Sequence, residues 1–271
     1  YNIMIAKKYN IKMFMLPQSF GPFEYNEGEA RILFKLMKEY LPYPTRIYVR
    51  EENGIAELKR FNLKNIQKGF DSVLQKEQEY EIKHIYKDRI NFKNIQVLDN
   101  SVAIIPNAKI IEHGNSNIIY DLYEKIIKHL IKSGKNVYLI NHSSLDLGIS
   151  EKIKKSFENN DKVILIKEDL NCIEIDNIIK QFDFIIASRY HAIIHAYNNS
   201  IPAFVFGWAI KYKELLQVFN QEQYLFDVRH SINSEEVIEK LNLLINSYDD
   251  EFTKIKGKKE KLANSLFNEI L

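Results

Sequence analysis

The sequence has very little cysteine: Cys172 is the single cysteine among 271 residues. One cysteine can form neither an internal disulfide nor a cysteine-rich zinc site, and such low usage is typical of a reducing compartment. No histidine lies near Cys172 in the sequence, so a catalytic thiol is disfavoured. We therefore expect a cytoplasmic protein whose chemistry does not depend on sulfur.

Long apolar runs are also lacking. The longest, residues 201–210, is interrupted by Pro202 and Gly207 and is shorter than the ~18–20 residues that a membrane span needs. Residues 1–8 lack the charged start and apolar core of a signal peptide. Since Tyr1 is not an initiator methionine, the chain can begin inside a longer protein. We expect no membrane span.

Neither an excess of one charge nor a closely spaced glycine pair is present. The chain has 38 basic and 36 acidic residues, a net charge of +2, which gives no argument for nucleic-acid binding. The nine glycines include no G-x-G pair, so neither a dinucleotide-binding fingerprint nor a P-loop is present. These absences exclude the commonest nucleotide-binding motifs.

The sequence instead alternates short apolar runs with segments of helical periodicity, which is typical of α/β domains with parallel sheets. Strands are predicted over residues 12–16, 46–49, 102–105, 136–140, 162–167, 183–187, 203–206 and 224–228. Helices are predicted after a capping box at Asn26 and Glu29, and over residues 51–60, 118–133, 150–157, 175–181, 190–197, 211–219, 234–247 and 252–271.

This order of elements predicts two domains and a terminal helix. Residues 96–248 have the pattern of a doubly wound domain. Residues 1–95 contain too few strands for a complete α/β domain and include a crossover from about residue 75. Residues 249–271 form the predicted C-terminal helix. Open parallel sheets bind ligands at the carboxyl ends of their strands, so we expect a cleft there.

The sharpest polar cluster follows the strand that ends at residue 187. Ser188 can cap the next helix, whose N-terminus is a ready anion site. Arg189 adds a guanidinium fork suited to phosphate or carboxylate, and His191 can donate a proton near neutral pH. A capped helix with an ion-paired surface arginine is an equally good interpretation. His195 shares a helix face with His191, but a hydrogen-bonded core histidine is favoured over a metal ligand.

Three further residues follow predicted strands, and the local sequence leaves their roles open. His142 can be catalytic, can bind an acceptor or can cap the next segment. Arg50 precedes two acidic residues, so a local ion pair is slightly favoured over a ligand contact. Trp208 can pack on a sugar ring, but core packing is favoured.

Several segments, in their order along the chain, resemble the polysaccharide pyruvyltransferase family. The matching segments are residues 16–22, 49–52, 69–71, 105–107, 141–143 and 188–196, continuing through 201–202 and 211–212. The segment from Ser188 to His191 with its downstream proline and lysine is the most specific, while the others are informative mainly through their order.

The resemblance implies two Rossmann-like domains in a GT-B-like arrangement, the N-terminal one incomplete and on the acceptor side. It implies phosphoenolpyruvate as the donor and a hexose of a glycan as the acceptor. With phosphoenolpyruvate as co-substrate, we expect no metal or other cofactor, because the hypothesised reaction requires none. Peripheral association with a lipid-linked glycan at the inner face of the membrane is compatible with this. The family's Ser-Arg-x-His segment assigns donor binding and catalysis to Arg189 and His191.

The resulting hypothesis distributes the remaining polar residues between donor and acceptor. Arg50 is a second donor contact, together with Ser188 and Asn107. His142 activates an acceptor hydroxyl. The predicted acceptor contacts are Gln18, Ser19, Trp208 and Lys211.

The chain also departs from the family pattern. Family members usually begin with more N-terminal strands, and they often have serine in place of Gly54 and glycine in place of Ser200. Two alternatives therefore stay open: a GT-B glycosyltransferase or sugar-nucleotide epimerase, and a non-catalytic glycan-binding relative. The acceptor sugar and the oligomeric state do not follow from the sequence.

Overall fold

The computed structural model describes residues 1–23, 28–75, 93–262 and 270, without the side chains of residues 29, 30 and 75. The chain divides into two compact units: a first unit of Tyr1–Glu77 with Leu262–Leu271, and a second unit of Gln78–Lys261. Asn26 and most of the predicted crossover lie outside the described residues, so the capping box and the domain limits stay predictions.

The first unit contains a three-stranded parallel sheet in the order β1-β2-β3. Its strands are β1 Phe14–Gln18, β2 Arg46–Val49 and β3 Ile66–Lys68, and its helices are α1 Asn2–Lys8, α2 Gly28–Tyr40 and α3 Glu52–Leu58, which continues into a 3-10 turn over Lys59–Phe61. Ile47, Val49 and Leu58 are fully buried at the centre of its core.

The predicted end of β1 at residue 16 is wrong, because the strand runs through Pro17 to Gln18. Proline removes a ladder donor, and β1 tolerates this loss because it pairs with β2 alone among the described strands. The register of β1 against β2 also shifts between Met15 and Gln18. Neither α1 nor the three-residue β3 was predicted, because short segments carry little periodicity.

The second unit contains a six-stranded parallel sheet in the order β6-β5-β4-β7-β8-β9. Its strands are β4 Ser101–Ile105, β5 Asn136–Ile140, β6 Val163–Ile166, β7 Phe184–Ala187, β8 Ala203–Gly207 and β9 Leu225–Asp227. Its helices are α4 Lys109–His113, α5 Ser116–Lys132, α6 Leu147–Lys155, α7 Cys172–Ile179, α8 Tyr190–Asn198, α9 Ile210–Val218 and α10 Ser234–Leu262. This strand order is that of the doubly wound Rossmann fold, which confirms the predicted fold class.

The core of the second unit explains why its elements were easier to predict. Every residue of β4, β7 and β8 is buried, as expected for strands covered on both faces. Helix α5 buries the apolar face that its periodicity predicts, and Asn115 caps it by accepting hydrogen bonds from two backbone N–H groups. The pattern of burial therefore follows the pattern of the sequence.

The predicted break between helices at residues 248–251 is wrong, because α10 is one continuous helix. This segment contains no proline or glycine, and the buried residues Leu244, Glu251 and Ile255 continue the helical spacing across it. Residues 263–269 and 271 of the predicted terminal helix lie outside the described residues. Short helix α4 was not predicted.

The helices within residues 1–23, 28–75 and 93–262 include no candidate for a membrane span. None of the helices described there combines the length and the apolar character that a bilayer span requires.

Ser200 adopts a backbone conformation that favours glycine. It lies between α8 and β8 with a φ of 63° and is buried. We expect Ser200→Gly to raise the free energy of unfolding by about 1 kcal/mol, because glycine enters the left-handed region without the steric cost of a Cβ. Urea unfolding measures this change. Ser133→Gly, at a φ of −81°, is the matched control and should give no gain; equal effects at both positions would contradict the explanation.

Candidate functional site

The candidate site lies at the carboxyl edge of the second sheet, where the chain leaves β4, β5 and β7. Strands β4 and β7 are neighbours in the sheet. The chain continues from β4 to β5 on one side of this pair and from β7 to β8 on the other side. Such a switch point opens a crevice beyond the strand ends. The segments that begin at Asn107, Asn141 and Ser188 all emerge at this edge.

Ser188 joins the ends of two strands and does not cap α8, so that prediction is wrong. The N-cap residue is Arg189, without a side-chain capping bond. Ser188 continues the pairing of β7, since its N–H donates to the Ile105 carbonyl at 3.1 Å. Its hydroxyl accepts a hydrogen bond from the Asn107 N–H at 2.7 Å, and it is fully buried. The donor contacts predicted for Ser188 and Asn107 stay predictions.

Arg189 forms a bidentate ion pair with Asp146. Its Nε donates to Oδ2 and its Nη2 to Oδ1, both at 2.6 Å. Asp146 is fully buried, while 24% of the Arg189 side chain is exposed. Oδ1 also accepts the Ala108 N–H at 2.9 Å, which fixes the carboxylate. The pair holds the guanidinium rigidly, and Nη1 makes no hydrogen bond within the part of the chain that the structure describes.

Asp146 is the residue that the sequence interpretation missed. It lies four residues after His142 in the loop that follows β5. An acidic residue in a strand-end loop was the available signal, but its partner is 43 residues away in sequence. Only the parallel pairing of the strands shows that the two loops meet.

His142 is a partly buried imidazole with a strongly perturbed acidity. Burial is the main cause that lowers its pKa to about 4, and the nearby His195, Arg189 and His191 lower it further, while Asp146 opposes them. Its Nε2 is buried and has no hydrogen-bond partner among the described residues. His142 is therefore neutral at pH 7 and can accept a proton or a hydrogen bond from a ligand.

The two histidines of α8 have different surroundings. His191 is exposed in the first turn, with its ring edge-on to Tyr190 at 5.8 Å. His195 is 7% exposed, and its Nδ1 lies 2.9 Å from Oδ1 of Asp176. His195 is thus the hydrogen-bonded core histidine that was predicted. Within the described ranges, no group of three or more His, Cys, Asp or Glu residues could hold a metal ion.

Aromatic rings extend this edge beyond β8. The Tyr212 hydroxyl donates to the Ser188 carbonyl at 3.0 Å, and the Lys211 ammonium lies 5.1 Å from the centre of the Tyr190 ring. The Trp208 ring stacks on His113 at 5.2 Å and also contacts Tyr212. Trp208 is partly buried against the core, in line with the favoured interpretation. The acceptor contacts predicted for Trp208 and Lys211 stay predictions.

A second polar cluster lies in the first unit, at the carboxyl ends of its strands. Arg50 donates to Asp71 at 2.5 Å and to the Ser19 hydroxyl at 2.8 Å, and it forms an ion pair with Glu51 at 3.5 Å. Gln18 is exposed at the end of β1, where its carbonyl accepts the Arg50 N–H. Arg50 has the local ion pair that its acidic neighbours suggest. The ligand contacts predicted for Gln18, Ser19 and Arg50 stay predictions.

Several solved structures share this fold. The chain is similar to UDP-GlcNAc 2-epimerase from Methanocaldococcus jannaschii (14% identity, TM-score 0.61, 90% of this chain and 66% of that one). It is also similar to MnaA of S. aureus, solved with UDP (10%, TM-score 0.55, 93% and 64%), and to a pneumococcal O-GlcNAc transferase (10%, TM-score 0.54, 97% and 53%). The two parallel sheets fit two Rossmann-like domains, as in GT-B glycosyltransferases and epimerases.

The sequence itself gives the family. The polysaccharide pyruvyl transferase family model matches residues 1–210, and the chain belongs to this family. No curated protein is similar enough in sequence to count as a match. The chain spans less than two thirds of the length of the three structures named above, for example 66% of the M. jannaschii epimerase.

Proposed function

We propose that the chain transfers a pyruvyl group from phosphoenolpyruvate to two hydroxyls of a hexose in a cell-surface polysaccharide or its precursor, forming a ketal. Membership of the family supports the reaction class. The observation that carries the proposal is the grouping of a rigid guanidinium with a neutral, unpartnered imidazole at the carboxyl edge of the second sheet.

The donor carries a phosphate and a carboxylate, so its site needs several hydrogen-bond donors. Arg189 offers the unused edge of its guanidinium, because Asp146 occupies Nε and Nη2. The N–H groups in the first turn of α8 have no earlier carbonyl of the helix to bind, and they favour anions. A pre-oriented arginine loses little conformational entropy when it binds the donor.

The proposed reaction moves protons between the two histidines and the reactants. His191 protonates the donor's methylene carbon, and a sugar hydroxyl attacks C2 while His142 takes its proton. Phosphate then leaves C2 with the proton that His142 holds, and His191 regains a proton from the second hydroxyl as that hydroxyl closes the ketal. Of the two hydroxyl protons lost, one ends in the new methyl group and one on phosphate. The scheme needs no metal or further cofactor.

This donor and acceptor also suggest where the enzyme works. A phosphoenolpyruvate-dependent reaction belongs in the cytoplasm, and an acceptor carried on a lipid would bring the enzyme to the inner face of the membrane. These locations are part of the proposal.

Thermal unfolding with candidate donors tests the proposal. Phosphoenolpyruvate at about 100 times its Kd should stabilise the chain by about 3 kcal/mol, because it binds the folded state alone. UDP-GlcNAc and UDP are the comparison ligands. Selective stabilisation by a nucleotide sugar would favour a glycosyltransferase or epimerase and contradict the proposed donor.

Incubation with phosphoenolpyruvate and p-nitrophenyl hexosides, followed by mass spectrometry, tests the product. A glycoside that gains the mass of pyruvic acid less one water, with release of phosphate, is the expected result. Glycan binding without consumption of the donor would instead support a non-catalytic relative.

A further inference from the structure

The chain from α1 to the start of β1 carries positive charge without a negative counterpart. Residues 1–23 contain three lysines, Lys7, Lys8 and Lys12, and no aspartate or glutamate. All three lysines are exposed, and none of them forms an ion pair within the described ranges of the chain. We call residues 4–12 the basic segment. Its three cations are available to an anionic partner.

The backbone of the basic segment is held in one conformation. Asn10 has a φ of 53°, and its N–H donates to the Lys7 carbonyl at 3.3 Å. The Ile11 N–H donates to the Ala6 carbonyl at 2.8 Å, which completes the Schellman pattern at the end of α1. The Tyr43 hydroxyl, from the turn after α2, lies 3.0 Å from the Ala6 carbonyl and 2.9 Å from the Ile11 carbonyl. The side chains of the segment therefore form a fixed surface.

Apolar side chains of the basic segment lie in solvent beside the lysines. Met4 and Ile5 on α1 and Tyr9 and Ile11 in the loop are between 37% and 65% exposed. Packing within the unit does not explain them, since α1 contacts the core of the unit through Ile3. The segment thus combines exposed apolar groups with unpaired cations.

Aromatic rings hold the lysine side chains close to this surface. Each ammonium group lies over a ring, at 5.0 Å from its centre for Lys7 and Tyr40, 5.4 Å for Lys8 and Tyr9, and 4.9 Å for Lys12 and Phe14. Glu39 precedes Tyr40 in α2, yet no ion pair joins Glu39 to Lys7 among the contacts of the described residues. Lysines whose stems follow apolar groups suit the boundary between water and lipid.

A helix dipole explains only part of the basic segment. Cations are favoured at a helix C-terminus, which accounts for Lys7 and Lys8. It does not account for Lys12, which lies beyond the helix, or for the exposed side chains of Tyr9 and Ile11. An anionic lipid surface attracts lysines and also accommodates aromatic and aliphatic groups among its headgroups, so it matches all five.

We propose that the basic segment binds the surface of an anionic lipid membrane, with its three lysines near lipid phosphates and with Tyr9 and Ile11 among the headgroups. The segment precedes β1 and therefore lies at the amino edge of the first sheet. The polar cluster around Arg50 lies at the opposite edge, so docking does not cover it. The inference goes beyond the proposed function, in which the acceptor alone brings the enzyme to a membrane.

Co-sedimentation of the whole chain with lipid vesicles tests the inference. Vesicles of equal parts phosphatidylcholine and phosphatidylglycerol should bind the wild type, and pure phosphatidylcholine vesicles should bind it at least about tenfold more weakly. The combined change of Lys7→Gln, Lys8→Gln and Lys12→Gln should weaken binding to the anionic vesicles at least about tenfold. The matched control changes three exposed lysines of the second unit, Lys132→Gln, Lys155→Gln and Lys180→Gln, and should bind like the wild type.

A second variant tests the apolar contribution with all lysines in place. Tyr9→Ser combined with Ile11→Ser should also weaken binding to the anionic vesicles, and about 0.5 M salt should remove most of what remains, because only screened charges are left. Both side chains are exposed, so urea unfolding should show little change in stability.

Three results would overturn the inference. The wild type could fail to bind the anionic vesicles, or the control lysine variant could lose as much binding as the variant of the basic segment. Sedimentation equilibrium could also show a dimer that the Tyr9→Ser, Ile11→Ser variant dissociates, which would mean that a second copy of the chain covers the segment. Vesicle binding is measured without phosphoenolpyruvate or glycoside, so its failure leaves the proposed reaction standing.

Discussion

Replacement of Arg189 by alanine should abolish phosphate release from phosphoenolpyruvate and also lower the free energy of unfolding by about 3 kcal/mol. The loss of activity, on the order of a thousandfold or more in kcat/KM, follows from the removal of the cation that binds the donor. The loss of stability follows from Asp146, which is fully buried and would keep its charge without a partner. Phosphate release and urea unfolding measure the two effects separately.

A double variant distinguishes the catalytic role of Arg189 from its structural role. Asp146→Asn combined with Arg189→Gln replaces the buried ion pair by two neutral amides that can bond to each other, so stability should recover while activity stays absent. If activity returned together with stability, Arg189 would be a structural residue only.

His191→Ala provides the complementary comparison, because His191 is exposed. It should lose phosphate release with little change in the free energy of unfolding. His230→Ala, at another exposed histidine, should keep the wild-type activity. Full activity in His191→Ala would remove this residue from the mechanism.

The second sheet could be predicted from the sequence because its strands are buried on both faces. Continuous apolar runs such as β4 and β7 then stand out, and the polar residues directly after them fall at one edge. The first unit was harder to interpret, since β3 has three residues and Pro17 interrupts the usual strand signal of β1. The predicted ends of strands were wrong where pairing with a neighbouring strand determines them.

Only those residues of the candidate site that directly follow a recognisable strand could be predicted from the sequence. Arg189 and His142 follow recognisable strands, but the partner of Arg189 lies in another loop, and no local pattern connects it to Asp146. Ser188 was misassigned for a related reason. A serine before a helix is the usual N-cap, whereas here its hydroxyl binds the backbone of the adjacent strand end.

The surroundings of His142 connect the proposed chemistry with stability. Its neutral imidazole suits a group that takes a proton from a sugar hydroxyl, and the groups that face it are His195, Arg189, His191 and Asp146. An anionic donor bound beside the Arg189 guanidinium would offset the positive charge that helps to lower the pKa of His142. Phosphoenolpyruvate should therefore raise the pKa of His142 toward neutrality, which improves it as a base at the moment of reaction.

The same pKa predicts how stability depends on pH. The pKa of His142 falls from 6.5 to about 4 on folding, so between these values the unfolded chain binds a proton that the folded chain does not. The stabilisation is therefore complete above pH 6.5 and is lost as pH falls toward 4, by about 2 kcal/mol at pH 5.

His142→Gln should remove this part of the pH dependence, so urea unfolding at pH 7.5 and pH 5 should show a smaller difference for the variant than for the wild type. His230→Gln, at an exposed histidine, should keep the wild-type difference. Equal pH dependence in the wild type and in His142→Gln would show that the imidazole is not held neutral by the fold, and would leave the proposed reaction without its base.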